Sequence, residues 1–318
     1  MGKEPEIINE KDQMRSWSRS MRFKGKTLAL VPTMGYLHDG HLSLITEAQK
    51  RAQVVVVSVY VNPGQFSPSE DLSTYPSDFE GDLKKLRKIG VDAVFHPQNL
   101  YDYGNSGEIK NESAHEMECT EIVQSKDVSC LEDKGAGRLA HETWIRTERL
   151  EKVLCGKSRP VFFRGVATVV AKLFNIVEPD IAVFGKKDYQ QWRIICRMVR
   201  DLEFGIEVIG SDIVREIDGL AMSSHNVHLT SEERDKALSI SQSLLKAKFA
   251  ALKGQTCCPE LRNSVVQAIT SSGGRVDYAE IVDQQSLVPV EEIKAPVVFC
   301  IAAWFGNVRL IDNVEMNI

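Results

Sequence analysis

Val31-Pro32-Thr33-Met34-Gly35-Tyr36-Leu37-His38-Asp39-Gly40-His41 decides the fold of this chain. An apolar stretch, Thr27 to Val31, stops at a proline. A glycine-containing turn follows, then two histidines three residues apart, then a helix-period stretch with Leu42, Ile45 and Ala48. That order reads as strand, turn and helix start. At such a start the unpaired backbone N–H groups and the helix dipole attract phosphate. Residues three apart face the same way, and glycine at 35 and 40 lets the backbone close on a ligand. Two imidazoles and a set of amides can thus converge on one anion. An isolated His-x-x-His equally suits a zinc pair or two surface histidines; its place after a strand, where α/β nucleotide-binding folds put their phosphates, favours the anion.

Further apolar runs at Val54–Val61, Ala93–His96, Ile181–Phe184 and Ile206–Ile209 read as buried strands. Helix-period stretches lie between them: Leu42–Arg51, Ser77–Ile89, Gly165–Ile176 and Tyr189–Arg200. Alternating units of this kind predict an α/β, Rossmann-like parallel sheet with helices on both faces and ligands beyond the carboxyl ends of the strands. Residues 104–141 are rich in Gly, Ser, Asn, Glu and Asp and read as a polar surface insertion. His115, Cys119, Cys130 and His141 fall in or beside it, with spacings that fit no metal pattern. After Asp212 the texture changes. Thr230-Ser231-Glu232-Glu233 is a capping-box pattern opening a long helix with Leu238, Leu245, Phe249 and Leu252, which Gly254 stops. A second helix, Leu261–Ile269, precedes strands at Val276–Val282, Val297–Trp304 and Val308–Val314, the last two joined by a Gly306-Asn307 hairpin. The expected division is 1–213 and a smaller α+β unit, 214–318, placed as a lid.

Composition narrows the function. Of 318 residues 43% are hydrophobic and 26% charged, as in globular proteins. The net charge of −5 argues against a general nucleic-acid or membrane binder. Seven cysteines without a C-x-x-C pair read as reduced thiols. No secretory or transit pattern opens the chain and no run is long enough to span a bilayer, so the expected location is the cytoplasm.

Two further strand ends carry chemistry-bearing residues. Val61-Asn62-Pro63-Gly64-Gln65-Phe66 projects Gln65, whose neutral amide suits a hydroxy acid or an amine. Asp71-Leu72-Ser73-Thr74-Tyr75-Pro76 continues that loop, and Tyr75 is placed to close over a ligand or to pack. Phe184-Gly185-Lys186-Lys187-Asp188-Tyr189-Gln190-Gln191 is again strand end, glycine and helix start. A lysine there supplies charge for phosphate, Asp188 can accept from a ribose hydroxyl or help hold Mg²⁺, and Gln191 shares a face with Lys187. Asp218-Gly219-Leu220-Ala221-Met222-Ser223-Ser224-His225-Asn226 carries two serines after a methionine.

The first stretch resembles the H-x-G-H signature of class I synthetase-like nucleotidylyl transferases, and the serine pair resembles their second phosphate loop. Together, VPTMGYLHDGHLSL, VNPGQFSP, DLSTYPSDFEGDL, FFRGVATVV, FGKKDYQQ and DGLAMSS resemble the pantoate–β-alanine ligase (pantothenate synthetase) family, and CGKSRPVFFRGVATVVAKLFNIVEPD with the insertion resembles its plant form. The resemblance implies ATP-dependent condensation of pantoate with β-alanine through a pantoyl adenylate, with Mg²⁺ on the phosphates, no metal site built from protein ligands, and a homodimer. It implies that Met34, Gly35, Tyr36, Leu37, His38, Asp39, Gly40 and His41 wall the ATP site, His41 as proton donor and His38 and Lys187 beside it as catalytic groups. It places Gly185, Lys186, Lys187, Asp188, Val214, Met222, Ser223, Ser224 and His225 on the nucleotide, Gln65 and Gln191 on pantoate, and Gln65 also near β-alanine.

Three departures stand out. His225 replaces a family arginine, which predicts weaker ATP binding that improves below neutral pH. Lys186 stands where bacterial members carry glutamate, and Val161-Phe162 replaces a Gly-His. The competing readings are a nucleotidylyl transferase acting on a phosphate acceptor, a class I aminoacyl-tRNA synthetase, and a non-catalytic sensor on the same fold.

Overall fold

The computed structural model describes residues 4–67, 75–101 and 141–317. At its centre lie β1 (Glu6–Ile8), β2 (Leu28–Thr33), β3 (Val54–Val59), β4 (Ala93–Phe95), β5 (Ile181–Gly185) and β6 (Glu207–Ser211). All pair in parallel, in the spatial order β1-β4-β3-β2-β5-β6. β3 is buried along its whole length and β2 nearly so, because both faces of the sheet are covered; hence the unbroken valine and leucine runs. On one face α2 (Asp39–Gln49) and α3 (Phe79–Ile89) press Leu44, Ile45, Leu83 and Leu86 against Val31 and Val57. The other face carries α1 (Lys11–Phe23), the short turn α4 (Cys155–Ser158), α5 (Phe162–Val177) and α6 (Tyr189–Asp201). Twelve of the 16 residues of α5 are buried, which is why GVATVVAKLFNIV is apolar nearly all round. Strand order reverses between β2 and β5, the place where a doubly wound sheet opens a crevice for ligands.

The C-terminal part has α7 (Ser231–Leu252), α8 (Cys258–Ser271) and an antiparallel sheet of β7 (Arg275–Asp283), β8 (Val297–Phe305) and β9 (Val308–Met316). The Thr230–Glu233 capping box is formed, and Gly306 takes φ 57° in the hairpin turn. One face of this sheet packs Phe299 and Ile301 on α7 and α8 in a core of its own. Val298 and Cys300, on the other face, belong to the core of the main sheet together with Tyr189 and Ile194. A second core therefore begins after residue 213, but its sheet is shared with the first.

The structure departs from the sequence reading in two places. β1 and α1 escaped it, since a three-residue strand and a helix dominated by Lys, Arg, Ser and Gln give little apolar signal; only Met14 and Ser18 of α1 are fully buried. On α7 the expected apolar line is turned outward: Leu245, Phe249 and Leu252 are 43%, 61% and 56% exposed. The inner face is Ala237, Ile240, Leu244, Ala247 and Ala251, whose 3- and 4-residue spacing fits the helix and whose small side chains admit close packing. Residues 68–74 and most of the insertion, with His115, Cys119 and Cys130, lie outside the described residues.

Candidate functional site

The loop after β2 is a strained turn fastened from below. Gly35 has φ 86° and Tyr36 φ 52°. A side chain on Gly35 would press on Val59 and Asp82 at 3.1 and 3.2 Å, so glycine is required by both space and dihedral. Asp82 of α3 is 1% exposed and accepts the N–H groups of Tyr36 and Leu37, each at 2.7 Å. Lys85 donates to the Leu37 carbonyl at 2.5 Å. The turn then feeds α2 through its two histidines. Gly40 N–H donates to His38 Nδ1 at 3.1 Å, and His38 N–H to His41 Nδ1 at 3.3 Å. Both Nδ1 atoms act as acceptors, so each ring is neutral with its proton on Nε2. Burial, together with nearby Lys187 and Lys85, pushes His38 down to about 4. Burial, the His38 ring and the same two lysines push His41 down to about 3. The rings lie 4.1 Å apart.

The loop after β3 meets this turn. Gln65 is buried, and its Oε1 accepts from Asn62 Nδ2 at 2.9 Å. Its Nε2 faces Met34 Sδ at 3.1 Å, a weak acceptor that leaves the donor available. Asn62 also donates to the Gly165 carbonyl at 3.2 Å. A side chain on Gly165 would strike the Gly64 carbonyl, so the Arg164-Gly165 stretch of α5 is the seat on which this loop rests.

The loop after β5 is fastened from the second sheet. Asn313 of β9, 5% exposed, donates through Nδ2 to the carbonyls of Lys186 and Lys187 at 2.8 and 3.0 Å. Lys186 pairs with Glu315 at 2.9 Å and Asp212 at 3.0 Å, and Tyr189 donates to Glu315 at 3.2 Å. Among the described residues the Lys187 ammonium has only a loose contact, 3.9 Å, with Asp188. The serine turn is held by Arg215, bound through both nitrogens to buried Asp312 at 2.7 and 2.9 Å. Met222 N–H donates to the Val214 carbonyl at 3.0 Å, and Asn226 donates to Glu216 and the Ala221 carbonyl.

The turn after β2, the loop after β5 and the serine turn approach one another. Lys187 and Ser223 line the same narrow pocket. A side chain on Gly40 would come within 3.6 Å of Met222 Cβ, and Tyr75 lies near Ser224. Desolvation and the Lys187 ammonium both lower the pKa of His225. Gln191, on the first turn of α6, is half-buried with no side-chain hydrogen bond among the described residues, whereas its neighbour Gln190 is structural, bonded to Leu150, Val153 and Cys155. Sequence reading missed Asp82, Asn62, Lys85 and Asn313. Asp312 and Asn313 do leave a trace: two consecutive buried polar residues break the alternation of β9.

The parallel sheet with helices on both faces and a strand-order reversal beside these loops defines a Rossmann-like α/β protein. The family profile for pantoate-beta-alanine ligase matches residues 6–315. A pantoate–β-alanine ligase of Lotus japonicus is 64% identical, with 99% of each chain covered, and one of Arabidopsis thaliana is 63% identical, also with 99% of each covered. The crystal structure of pantothenate synthetase from Thermus thermophilus superposes with a TM-score of 0.82 at 36% identity, covering 98% of this chain and 100% of that one. The Francisella tularensis pantoate-β-alanine ligase, complexed with β-γ ATP and β-alanine, gives 0.71 at 30% identity, covering 98% and 97%. The chain belongs to the pantoate–β-alanine ligase family.

Proposed function

We propose that this crevice joins pantoate to β-alanine in two steps at the expense of ATP. A pantoate carboxylate oxygen attacks the α-phosphorus of ATP and pyrophosphate leaves. The β-alanine amine then attacks the carbonyl of the pantoyl adenylate; a C–N bond forms, the C–O bond to AMP breaks, and the amine gives up a proton. The observations that support this reading are that Lys187 and Ser223 line one narrow pocket, that the Lys187 ammonium lowers the pKa of both His38 and His41, and that Gly40 lies close to Met222, beside the strand-order reversal.

Negative charge grows on the departing pyrophosphate. Lys187, the Nε2–H groups of His38 and His41, and the hydroxyls and amides of Ser223 and Ser224 are arranged in advance to receive it. His41 enters the reaction as a neutral hydrogen-bond donor; the triphosphate raises its proton affinity and so makes it a proton donor to the leaving group. Leu37 is buried and contributes backbone only. Gly35, Tyr36, Asp39 and Gly40 shape the wall, while Met34 and Val214 flank the substrate and nucleotide. Gln65 and Gln191 orient pantoate, and Gln65 also meets the incoming β-alanine. Asp188 and Gly185 border the ribose. Lys186 is committed to Glu315 and Asp212, so in this reading it holds the turn while Lys187 touches phosphate. Mg²⁺ travels with the ATP phosphates and supplies charge neutralisation there. The working form is a homodimer in the cytoplasm; among the described residues no helix is long and apolar enough to cross a membrane.

Pantoate-dependent exchange of labelled pyrophosphate into ATP tests the reading. Exchange that needs pantoate, followed by AMP release on adding β-alanine, is the expected result. Exchange without pantoate would transfer the assignment to another member of the H-x-G-H class.

A further inference from the structure

A second concavity lies at the far end of α6, roughly 15 Å along the helix from Gln190. Residues 145–150 and the last turn of α6 enclose about 310 Å³ there, within the range of small-molecule sites, about 300–1,000 Å³. Arg146, Arg149, Arg197 and Arg200 line it against two carboxylates, Glu148 and Asp201, so the lining carries +2 in a chain of net −5. Two of the guanidiniums are already engaged: Arg146 with Glu151 at 2.6 Å and Arg200 with Asp201 at 2.5 Å. Glu148 is held by Lys152 at 3.3 Å. The other two have donors to spare. Arg149 makes no side-chain hydrogen bond or ion pair among the described residues, and Arg197 reaches only the Gln285 carbonyl, at 3.5 Å.

The wall is set in advance. Buried Glu151 takes both Arg146 and the Thr147 N–H, and the Leu150 carbonyl accepts from Gln190 at 2.7 Å. Little ordering remains to be done when a ligand arrives. Ile145, Met198 and Leu202 add apolar surface beside the charge.

We propose that this groove binds a small organic phosphomonoester, at a site separate from the catalytic crevice. A phosphomonoester carries close to two negative charges at neutral pH, which the two uncommitted guanidiniums match, and its oxygens suit their forked donors. Ile145, Met198 and Leu202 then cover the organic body.

Calorimetric titration with phenyl phosphate tests this on the full chain, its crevice saturated with an α,β-methylene analogue of ATP. The expected result is one site per chain, no binding of phenol, and weaker binding of inorganic phosphate. The double variant Arg149→Gln/Arg197→Gln weakens phenyl phosphate roughly tenfold or more while leaving pantoate-dependent exchange unchanged. No saturable binding, equal affinity in the double variant, inorganic phosphate as tight as the ester, or loss of binding in Lys187→Met would each overturn the proposal.

Discussion

The two loops that flank the crevice have the same local grammar and opposite means of support. The turn after β2 is held by Asp82 and Lys85 of α3, within the layer that its own strand builds. The turn after β5 is held by Asn313 and Glu315, from a strand more than a hundred residues later and in a different sheet. The C-terminal sheet is therefore part of the machinery that aims Lys187, as well as a cover. In the first loop, precision comes from local chain geometry; in the second, it depends on two sheets sharing a core.

The largest effect should come from the group that the second support places. Lys187→Met removes the ammonium facing both histidines and should lower the rate of pantoate-dependent exchange by about 10²–10³-fold. Its melting temperature should stay near that of the parent, because Lys187 makes only a 3.9 Å contact of its own. A loss below tenfold would mean that another cation carries the charge and that the fastening of this turn matters little.

The supports themselves come next. Asn313→Asp keeps the shape but replaces a donor to two carbonyls with an acceptor; a cost of about 1–3 kcal/mol predicts roughly a 10- to 100-fold loss in the exchange rate. Asp82→Asn weakens the grip on two amides and should act on the first loop with a similar size. If the two fastenings are independent, their effects on kcat/KM add in the double variant within about 0.5 kcal/mol. The aminolysis half-reaction, started from preformed pantoyl adenylate, should be nearly untouched by Asn313→Asp, since pyrophosphate has already left. A uniform loss in both half-reactions would reduce β9 to scaffold.

A third test separates the loops by pH. His38 and His41 are held neutral in the folded chain, at about 4 and about 3, against an ordinary 6.5. Below pH 6.5 the unfolded chain takes up protons that the folded chain refuses, so stability rises with pH up to that point and is lost on acidification. Between pH 7 and 5 the loss should be about 2 kcal/mol for each histidine, about 4 kcal/mol for the pair, read from urea midpoints. His41→Gln should flatten the slope, whereas Lys186→Gln on the other loop should leave it unchanged.

How much of this was legible beforehand follows from the same contrast. Strands β2 to β6 and the first turn were readable because each rests on neighbours in sequence: valine runs, glycine at a positive dihedral, histidines at a helix start. The parallel sheet, the C-terminal helices and the Gly306-Asn307 hairpin follow the same local rules. Asp82 was hidden in plain text within DFEGDL, since nothing local says that a helix aspartate faces a turn 45 residues earlier. Asn313 left only the break in the alternation of β9, for its partners are backbone carbonyls, which leave no trace in composition. On α7 the larger side chains misled, because alanines allowed the opposite face to pack inward. Lys186 and Lys187 are identical residues side by side; Asp212 and the distant Glu315 engage the first and leave the second to line the pocket.

The smallest effect concerns His225, at the position where the resemblance implies an arginine. His225 lies beside Lys187 with its proton affinity lowered, so at neutral pH it brings a dipole where arginine would bring a charge. Restoring the charge has an opposing consequence, because a guanidinium near an uncompensated ammonium repels it until the triphosphate arrives. His225→Arg should therefore leave the free protein no more stable, while lowering KM for ATP by roughly three- to tenfold, about 1 kcal/mol. The benefit should shrink with added salt, as expected for a partly exposed charge. An unchanged KM would mean that the serine turn closes on the phosphates through hydroxyls and amides alone, and that Lys187, held from the second sheet, already supplies the charge this side of the crevice can use.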